Sequence, residues 1–390
     1  MALVLHHPEV GYYALRSPLG AQGDYYTSPE LHPAFAALLG RQVEQLWKTL
    51  GRPSPFVVHE AGPGSGRFAR DLLDWLGDSR SNLYGAMRYQ LDESSDRLRH
   101  EQREALLRGG HANVAWVRGF DAGSPHLVLA NELLDALPVH LVEGRAEGVV
   151  ELFVALEDGR LALVEGPLST PALYDYFARL GIWPAPGCRA EVNLAALDWM
   201  RAAGAAIERG LLIVLDYGYP ATALYAPDRR AGTLLCYEGH TLNSDPLRRV
   251  GQQDITSHVD FTSVARAGEE VGLGTLGLVS QHRLLRNLGW DSLRQRVQQA
   301  ALGQAELQAN LRALDALLDP DGLGRVLALV QQRGLADFAP IGLVGGPRSD
   351  WRRLALRGPE HVRLPDPAEL EGLPDFEAQW SELFGEDAPD

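Results

Sequence analysis

Apolar residues first gather at Phe56-Val57-Val58, a run of strand length that closes with His59-Glu60 and passes directly into a glycine-rich turn. After the turn the spacing changes, and Phe68, Leu72, Trp75 and Leu76 fall on one face at helical intervals. This exchange of strand-length runs for helix-period stretches then repeats. Residues 84–91 predict a second strand ending at Asp92, with a charged helix after it through Leu107. A third strand is expected near residues 114–117, and a fourth over Leu127-Val128-Leu129-Ala130, ending at Asn131. Residues 211–215 supply a strongly apolar strand ending at Asp216, residues 264–271 the next helix, and residues 275–279 a final strand. Such alternation specifies an α/β fold, a doubly wound Rossmann-like sheet with crossover helices.

Between residues 143 and 200 the period changes: two alternating runs, 149–156 and 161–164, are joined by Glu157-Asp158-Gly159-Arg160, the signature of a hairpin inserted into the core pattern. At the other end, Gly11-Tyr12-Tyr13 through Tyr25-Tyr26 is rich in glycine and aromatics without helical period and reads as an ordered loop. Thr27-Ser28-Pro29-Glu30 then has the form of a helix start, with a hydroxyl at the cap and proline in the first turn, and the helix is expected to run to about Leu50. Beyond Trp290 the glutamine- and leucine-rich sequence reads as helical to about Arg333, and a proline-rich acidic tail begins at Pro359. The predicted organisation is a loop and helix covering the site over residues 1–50, a Rossmann-like domain over 51–290 with its insertion at 143–200, and a helical extension with acidic tail over 291–390.

Composition narrows the chemistry. A formal charge of −15 leaves no basic stripe for phosphate neutralisation, so long nucleic acid is not the expected partner and a short basic peptide is better matched. Lys48 is the only lysine, and it sits in the amphipathic pattern of Leu38, Leu39, Val43, Leu46 and Trp47, so neither a P-loop lysine nor a Schiff-base lysine is available. Cys188 and Cys236 stand apart from each other and from ligand-spaced histidines, which predicts buried thiols in a reducing compartment and neither zinc nor a disulfide framework. Residues 1–5 are too short for a signal segment, and no apolar run approaches the roughly 20 residues of a membrane span, so a cytoplasmic protein without membrane insertion is expected.

The most informative stretch is Glu60-Ala61-Gly62-Pro63-Gly64-Ser65-Gly66, an acid at a strand end followed by glycines at alternate positions and a helix. Glycine lets the backbone approach a ligand closely, and the helix N-terminus offers N–H groups and positive dipole to a carboxylate. In S-adenosylmethionine enzymes that carboxylate belongs to the methionine moiety. A dinucleotide loop is the competing reading, since Gly64-Ser65-Gly66-Arg67-Phe68-Ala69 fits G-x-G-x-x-A, and a plain structural turn is a third. Glu60 ahead of three alternating glycines, and the long interval to the next acid, Asp92, both favour the methyl-donor form. Asp92 is positioned either to accept both ribose hydroxyls of the donor or simply to start a helix at Ser94 or Ser95. Asn131-Glu132-Leu133-Leu134-Asp135-Ala136-Leu137-Pro138 ends the fourth strand, where ligands of open α/β sheets bind, and is not the N-P-P-aromatic form of nucleobase methylation.

These residues, with His7-Pro8-Glu9-Val10-Gly11-Tyr12-Tyr13, Gly23-Asp24-Tyr25-Tyr26-Thr27-Ser28-Pro29-Glu30, Asp216-Tyr217-Gly218 and Asp254-Ile255-Thr256-Ser257-His258-Val259-Asp260-Phe261, resemble the MidA-like family of S-adenosylmethionine-dependent methyltransferases. The mitochondrial member of that family is an assembly factor for respiratory complex I and an arginine methyltransferase. The resemblance spans most of the chain up to about Trp290. It implies donor binding by Glu60, Gly62, Gly64, Gly66 and Asp92, with Asp24, Thr27 and Ser28 closing over the site. It also implies methyl transfer to a protein arginine, in a complex I subunit or its equivalent. A donor-binding assembly factor with little turnover and a small-molecule O- or N-methyltransferase stay open beside it.

An arginine acceptor is charged and delocalised, so carboxylates must hold its guanidinium in a fork. Glu132 and Asp135, beside Asn131, are the first candidates, and Glu191 from the insertion is a third that reads more readily as a surface acid. His258, flanked in sequence by Asp254 and Asp260, is a candidate proton acceptor or a structural histidine.

Overall fold

The computed structural model describes residues 1–15, 27–238, 241–347 and 351. Strand β1 (Phe56–Ala61) pairs in parallel with β2 (Met87–Asp92), which pairs with β3 (Val114–Val117), while on its other side β1 pairs with β4 (Leu127–Asn131). The chain order reverses about β1, which opens a crevice at the carboxyl ends of β1 and β4, the place where open α/β sheets take their ligands.

Four strands then leave the core: β5 (His140–Arg145), β6 (Gly148–Glu157), β7 (Arg160–Gly166) and β8 (Arg189–Val192) form a separate antiparallel sheet in the order β7-β6-β5-β8. The predicted hairpin is its β6–β7 pair, turning at Glu157 opposite Arg160. The chain returns as β9 (Gly210–Asp216), buried at every residue beside β4.

The strand predicted as final, Gly274–Ser280, is followed by another. Leu327–Arg333, expected to be helical, is a strand inserted antiparallel between β9 and Gly274–Ser280, so the central sheet has seven strands. Its apolar residues Ala328, Leu329 and Val330 are buried from both faces, and a short continuous run of that kind has no period to separate strand from helix. The helices Trp290–Gln298 and Gln304–Leu318 that precede it are as expected.

The helix expected from Thr27 to Leu50 is two helices. Ser28–Leu31 stops at His32, extended at φ −156°, because Pro33 crowds the residue before it out of helical geometry. The His32 ring accepts the Ala34 N–H at 3.0 Å through Nδ1, and Ala34–Thr49 begins there. This longer helix packs Phe35, Leu38 and Leu46 against one face of the sheet, while Ala196 and Met200 of Leu194–Ala206 and Val264 of Phe261–Glu270 cover the other. Among the described residues no helix is long and apolar enough to cross a membrane.

Candidate active site

After β1 the backbone turns through Gly62 (φ 64°), Gly64 (φ 53°) and Gly66 (φ 73°), all left-handed, and Gly66 caps the helix Arg67–Asp78. A side chain would cost about 1–2 kcal/mol at each such position. Space is also tight at two of them: a Cβ on Gly62 would lie 2.8 Å from Leu133 Cδ1, which would have to move, and one on Gly66 2.9 Å from Gln102 Cγ. Gln102 is fully buried and fixes the loop: its Nε2 donates to the Gly64 carbonyl at 2.7 Å, and its Oε1 accepts the Trp116 indole N–H at 2.8 Å.

This loop forms one wall of a cavity at the carboxyl ends of β1 and β4. Glu60, Glu93, Asn131 and Glu132 face it from the sheet side, and His6, Tyr13, Thr27 and Glu30 close it from the N-terminal segment. Glu30 ties that segment to the loop, accepting the Ser65 hydroxyl and pairing with Arg67 Nε at 3.0 Å. His6 Nε2 meets the Ala136 carbonyl at 2.9 Å. Thr27 lines the cavity, whereas Ser28 is buried behind it, its hydroxyl donating to Gln281 Oε1 at 3.0 Å and its backbone N–H to the Glu132 carboxylate. Asp24 lies outside the described residues.

Two buried carboxyls look into the cavity. Glu60 accepts the Tyr89 hydroxyl at 2.8 Å, and burial, with a smaller push from Glu93, raises its pKa to about 7. Glu93 Oε1 accepts the Ser95 N–H at 2.8 Å, and burial raises its pKa too. Asp92 does not line the cavity. It accepts the Gly119 N–H at 3.0 Å and stands 3.7 Å from His59 Nε2. The acid of this strand end that lines the cavity is the next residue along, Glu93. The only sequence signal for this is that Asp92-Glu93 offers two acids in succession at the strand end, one of which must turn away.

Beyond Asn131 the backbone of Glu132 is itself left-handed at φ 50°, unusual for a residue with a side chain, and its N–H is held by the Leu215 carbonyl at 2.8 Å. The strained turn presents Glu132 at the cavity wall, where burial and the neighbouring Asp135 push its pKa up to about 8. Behind it lie more acids. Asp216, fully buried at the end of β9, accepts the Leu134 N–H at 2.8 Å and the Tyr217 N–H at 2.8 Å. Asp135 is buried between Asp216 and Asp254, and burial with those two charges raises it far above the carboxylate range. Asp254 accepts the hydroxyl of Tyr13, a cavity residue, at 2.8 Å.

Two expected site residues fall elsewhere. Glu191 is buried, and its Oε2 accepts both the N–H and the hydroxyl of Thr233 at 2.9 Å, a bracing role inside the insertion. His258 is next to Asp254 and Asp260 in sequence only by count: Asp260 caps the helix Phe261–Glu270 and accepts the Tyr176 hydroxyl at 2.6 Å. The His258 ring instead packs edge-on to Tyr219, centroids 5.3 Å apart, and burial together with Arg229 and Arg325 lowers its pKa to about 3. It is a neutral imidazole outside the cavity, unsuited to take a proton there.

Residues 38–279 match the family described as "Putative S-adenosyl-L-methionine-dependent methyltransferase". The chain belongs to that family. A crystal structure from Burkholderia thailandensis bound to S-adenosyl-homocysteine is 32% identical, with a TM-score of 0.76 over 89% of this chain and 90% of that one. Among curated proteins, the mitochondrial protein arginine methyltransferase NDUFAF7 homolog of Drosophila melanogaster is 29% identical over 83% of this chain and 78% of its own length. The NDUFAF7 protein of Homo sapiens is 27% identical over 83% of this chain and 76% of its own.

S-adenosyl-L-methionine is thus the methyl donor of this enzyme, and the cavity fits it. Asn131 Oδ1 is buried there without a hydrogen-bond partner among the described residues, an acceptor awaiting a donor group. Glu60 and Glu93 present carboxyls to the same space, a chemistry suited to an amino group and ribose hydroxyls, and the helix Arg67–Asp78 turns its N-terminus toward it, as suits a carboxylate.

Proposed function

We propose that the methyltransferase acts on an arginine side chain presented by a protein segment. The observation that carries this reading is Glu132 at the wall of the donor cavity with Asp135, Asp216 and Asp254 buried behind it, the pKa values of the first three raised by burial and crowding. Acids gathered at one end of the site suit a cation, and a guanidinium is a planar, fork-shaped one. The names of the fly and human relatives, both protein arginine methyltransferases, support the same choice.

Within this reading Glu93 holds the ribose of the donor, Glu60 and Asn131 its amino group, and the glycine loop its carboxylate. When bound, the donor supplies an electrophilic methyl on a sulfonium. Glu132 aligns one guanidinium nitrogen with that methyl and, as the C–S bond breaks and the N–C bond forms, accepts the proton that the nitrogen sheds; the bonding pair stays with sulfur. Asp135 and Asp216 keep the positive charge of the acceptor on the far nitrogens. Tyr13 and the rest of the N-terminal segment exclude water from the transfer. Cys188 and Cys236, both buried and free, fit a reducing compartment such as the cytoplasm.

The test is mass spectrometry of arginine peptides incubated with the full chain and donor. Wild-type protein is expected to add increments of about 14 Da at arginine, a methyl group in place of a hydrogen, and Glu132→Gln to lose on the order of 100-fold in turnover with donor affinity retained. Full turnover in the variant would overturn the assignment.

A further inference from the structure

The wall beside the acidic cluster is cationic, and the proposed transfer makes no use of it. Arg325 precedes the strand whose Leu327 pairs with Asp216, so it stands at the same carboxyl edge of the sheet as the cluster. Its Nη2 donates to the Tyr219 hydroxyl at 2.8 Å, and the Arg229 guanidinium lies over the Tyr219 ring, 4.6 Å from its centroid. The other edge of that ring receives His258. Backbone bonds tie the segment bearing His258 to the acids, the Ser257 N–H donating to the Asp135 carbonyl at 3.0 Å and the Val259 N–H to the Tyr217 carbonyl at 2.8 Å, and the charges of Asp135, Asp254 and Arg325 all reach Tyr237.

Arg229 has no carboxylate within ion-pair distance among the described residues, and its Nε is buried without a hydrogen-bond partner. Some other arginines pair with acids, as Arg145 does with Glu143 and Glu165, and Arg294 with Asp315. A guanidinium stacked on tyrosine and half-desolvated is primed to take a planar anion through two parallel N–H bonds.

Resting on the arginine reading of the neighbouring cluster, we propose that Arg229, laid on Tyr219 and backed by Arg325, binds a carboxylate of the acceptor segment, so that the enzyme selects an arginine with an acid near it in the chain. The charge pattern of the site is then dipolar, acid cluster for the target guanidinium and Arg229 for its companion. A uniformly basic tract, such as an Arg/Gly repeat, meets repulsion at the second subsite.

Two sources supply the same carboxylate, an internal Asp or Glu or a free chain terminus, and the experiment separates them. Methylation by the full chain is measured on amidated peptides with one arginine and a single Glu moved along the flanks, on an amidated peptide with Gln in its place, on the same Gln peptide with a free C-terminus, and on one with Lys. The expected result is a kcat/KM at least tenfold higher for one Glu register, or for the free terminus, than for the amidated Gln peptide, with the Lys peptide poorest. Arg229→Gln should erase the ratio, Arg229→Glu should turn it toward Lys, and Arg229→Lys should keep part of it, which shows that the first two effects do not come from misfolding. Equal methylation of all peptides would overturn the carboxylate subsite while leaving arginine as acceptor, whereas methylation of none would overturn both.

Discussion

The Tyr13 hydroxyl donates to Asp254 Oδ1 at 2.8 Å across 241 positions of sequence. Through this bond the N-terminal segment that closes the donor cavity is fastened to the acids proposed to receive the acceptor, so closure and acceptor binding share one contact. Tyr13→Phe removes the hydroxyl donor to Asp254 Oδ1, which keeps the Ile255 N–H at 2.9 Å, a loss of about 0.5–1.5 kcal/mol. The variant is expected to melt lower and to lose both donor affinity and turnover. Calorimetric titration with S-adenosyl-homocysteine and a thermal melt check it, and unchanged values in both would separate closure from the cluster.

Donor affinity distinguishes the two consecutive acids at the end of β2. Glu93→Gln removes charge-assisted bonds to ribose and is expected to weaken S-adenosyl-homocysteine binding by roughly 10- to 100-fold. Asp92→Asn, whose side chain faces the Gly119 N–H and His59, is expected to change affinity little. Titration of both variants decides, and the reverse ranking would return the ribose to Asp92.

This pair also shows where sequence reading runs out. The alternation of strand and helix, the glycine loop and the polar end of β4 are local patterns, and the fold places Glu60, Gly62, Gly64, Asn131 and Glu132 around one cavity, with Gly66 behind them as the cap of Arg67–Asp78. Which of Asp92 and Glu93 points inward depends on how the strand end turns, half a residue of twist that composition does not encode. Glu191 and His258 were candidates because of residue type and neighbourhood in the chain, but Thr233 satisfies the first and Tyr219 with two arginines surrounds the second, contacts made only by the fold. Leu327–Arg333 ends a glutamine- and leucine-rich stretch that reads as helical from the sequence, its short apolar run having no period of its own. In the sheet Gln331 is wholly buried and donates to the Ala265 carbonyl at 2.7 Å and to Thr275 Oγ1 at 2.9 Å.

Stability should depend on pH with an unusual sign. Glu132 rises from 4.5 to about 8 on folding, so between those values the folded chain holds a proton that the unfolded chain has released. By linkage, such a group favours the folded state fully below its unfolded pKa and withdraws that support as pH climbs toward 8. Glu132→Gln, which stays neutral, is therefore expected to gain stability relative to wild type as pH rises, and the difference in melting temperature followed from pH 5 to 9 measures it. Parallel curves would mean that Glu132 is not held protonated.

The acceptor cluster is tested most directly by titrating an amidated arginine peptide into protein saturated with S-adenosyl-homocysteine at pH 7, in buffers of different ionisation enthalpy. Carboxyls held protonated by burial and crowding must release protons when a guanidinium settles among them, so the account predicts net proton release on binding. A matched citrulline peptide, of the same shape without the charge, is predicted to bind at least about tenfold more weakly. Equal binding of the two peptides with no proton released would contradict it.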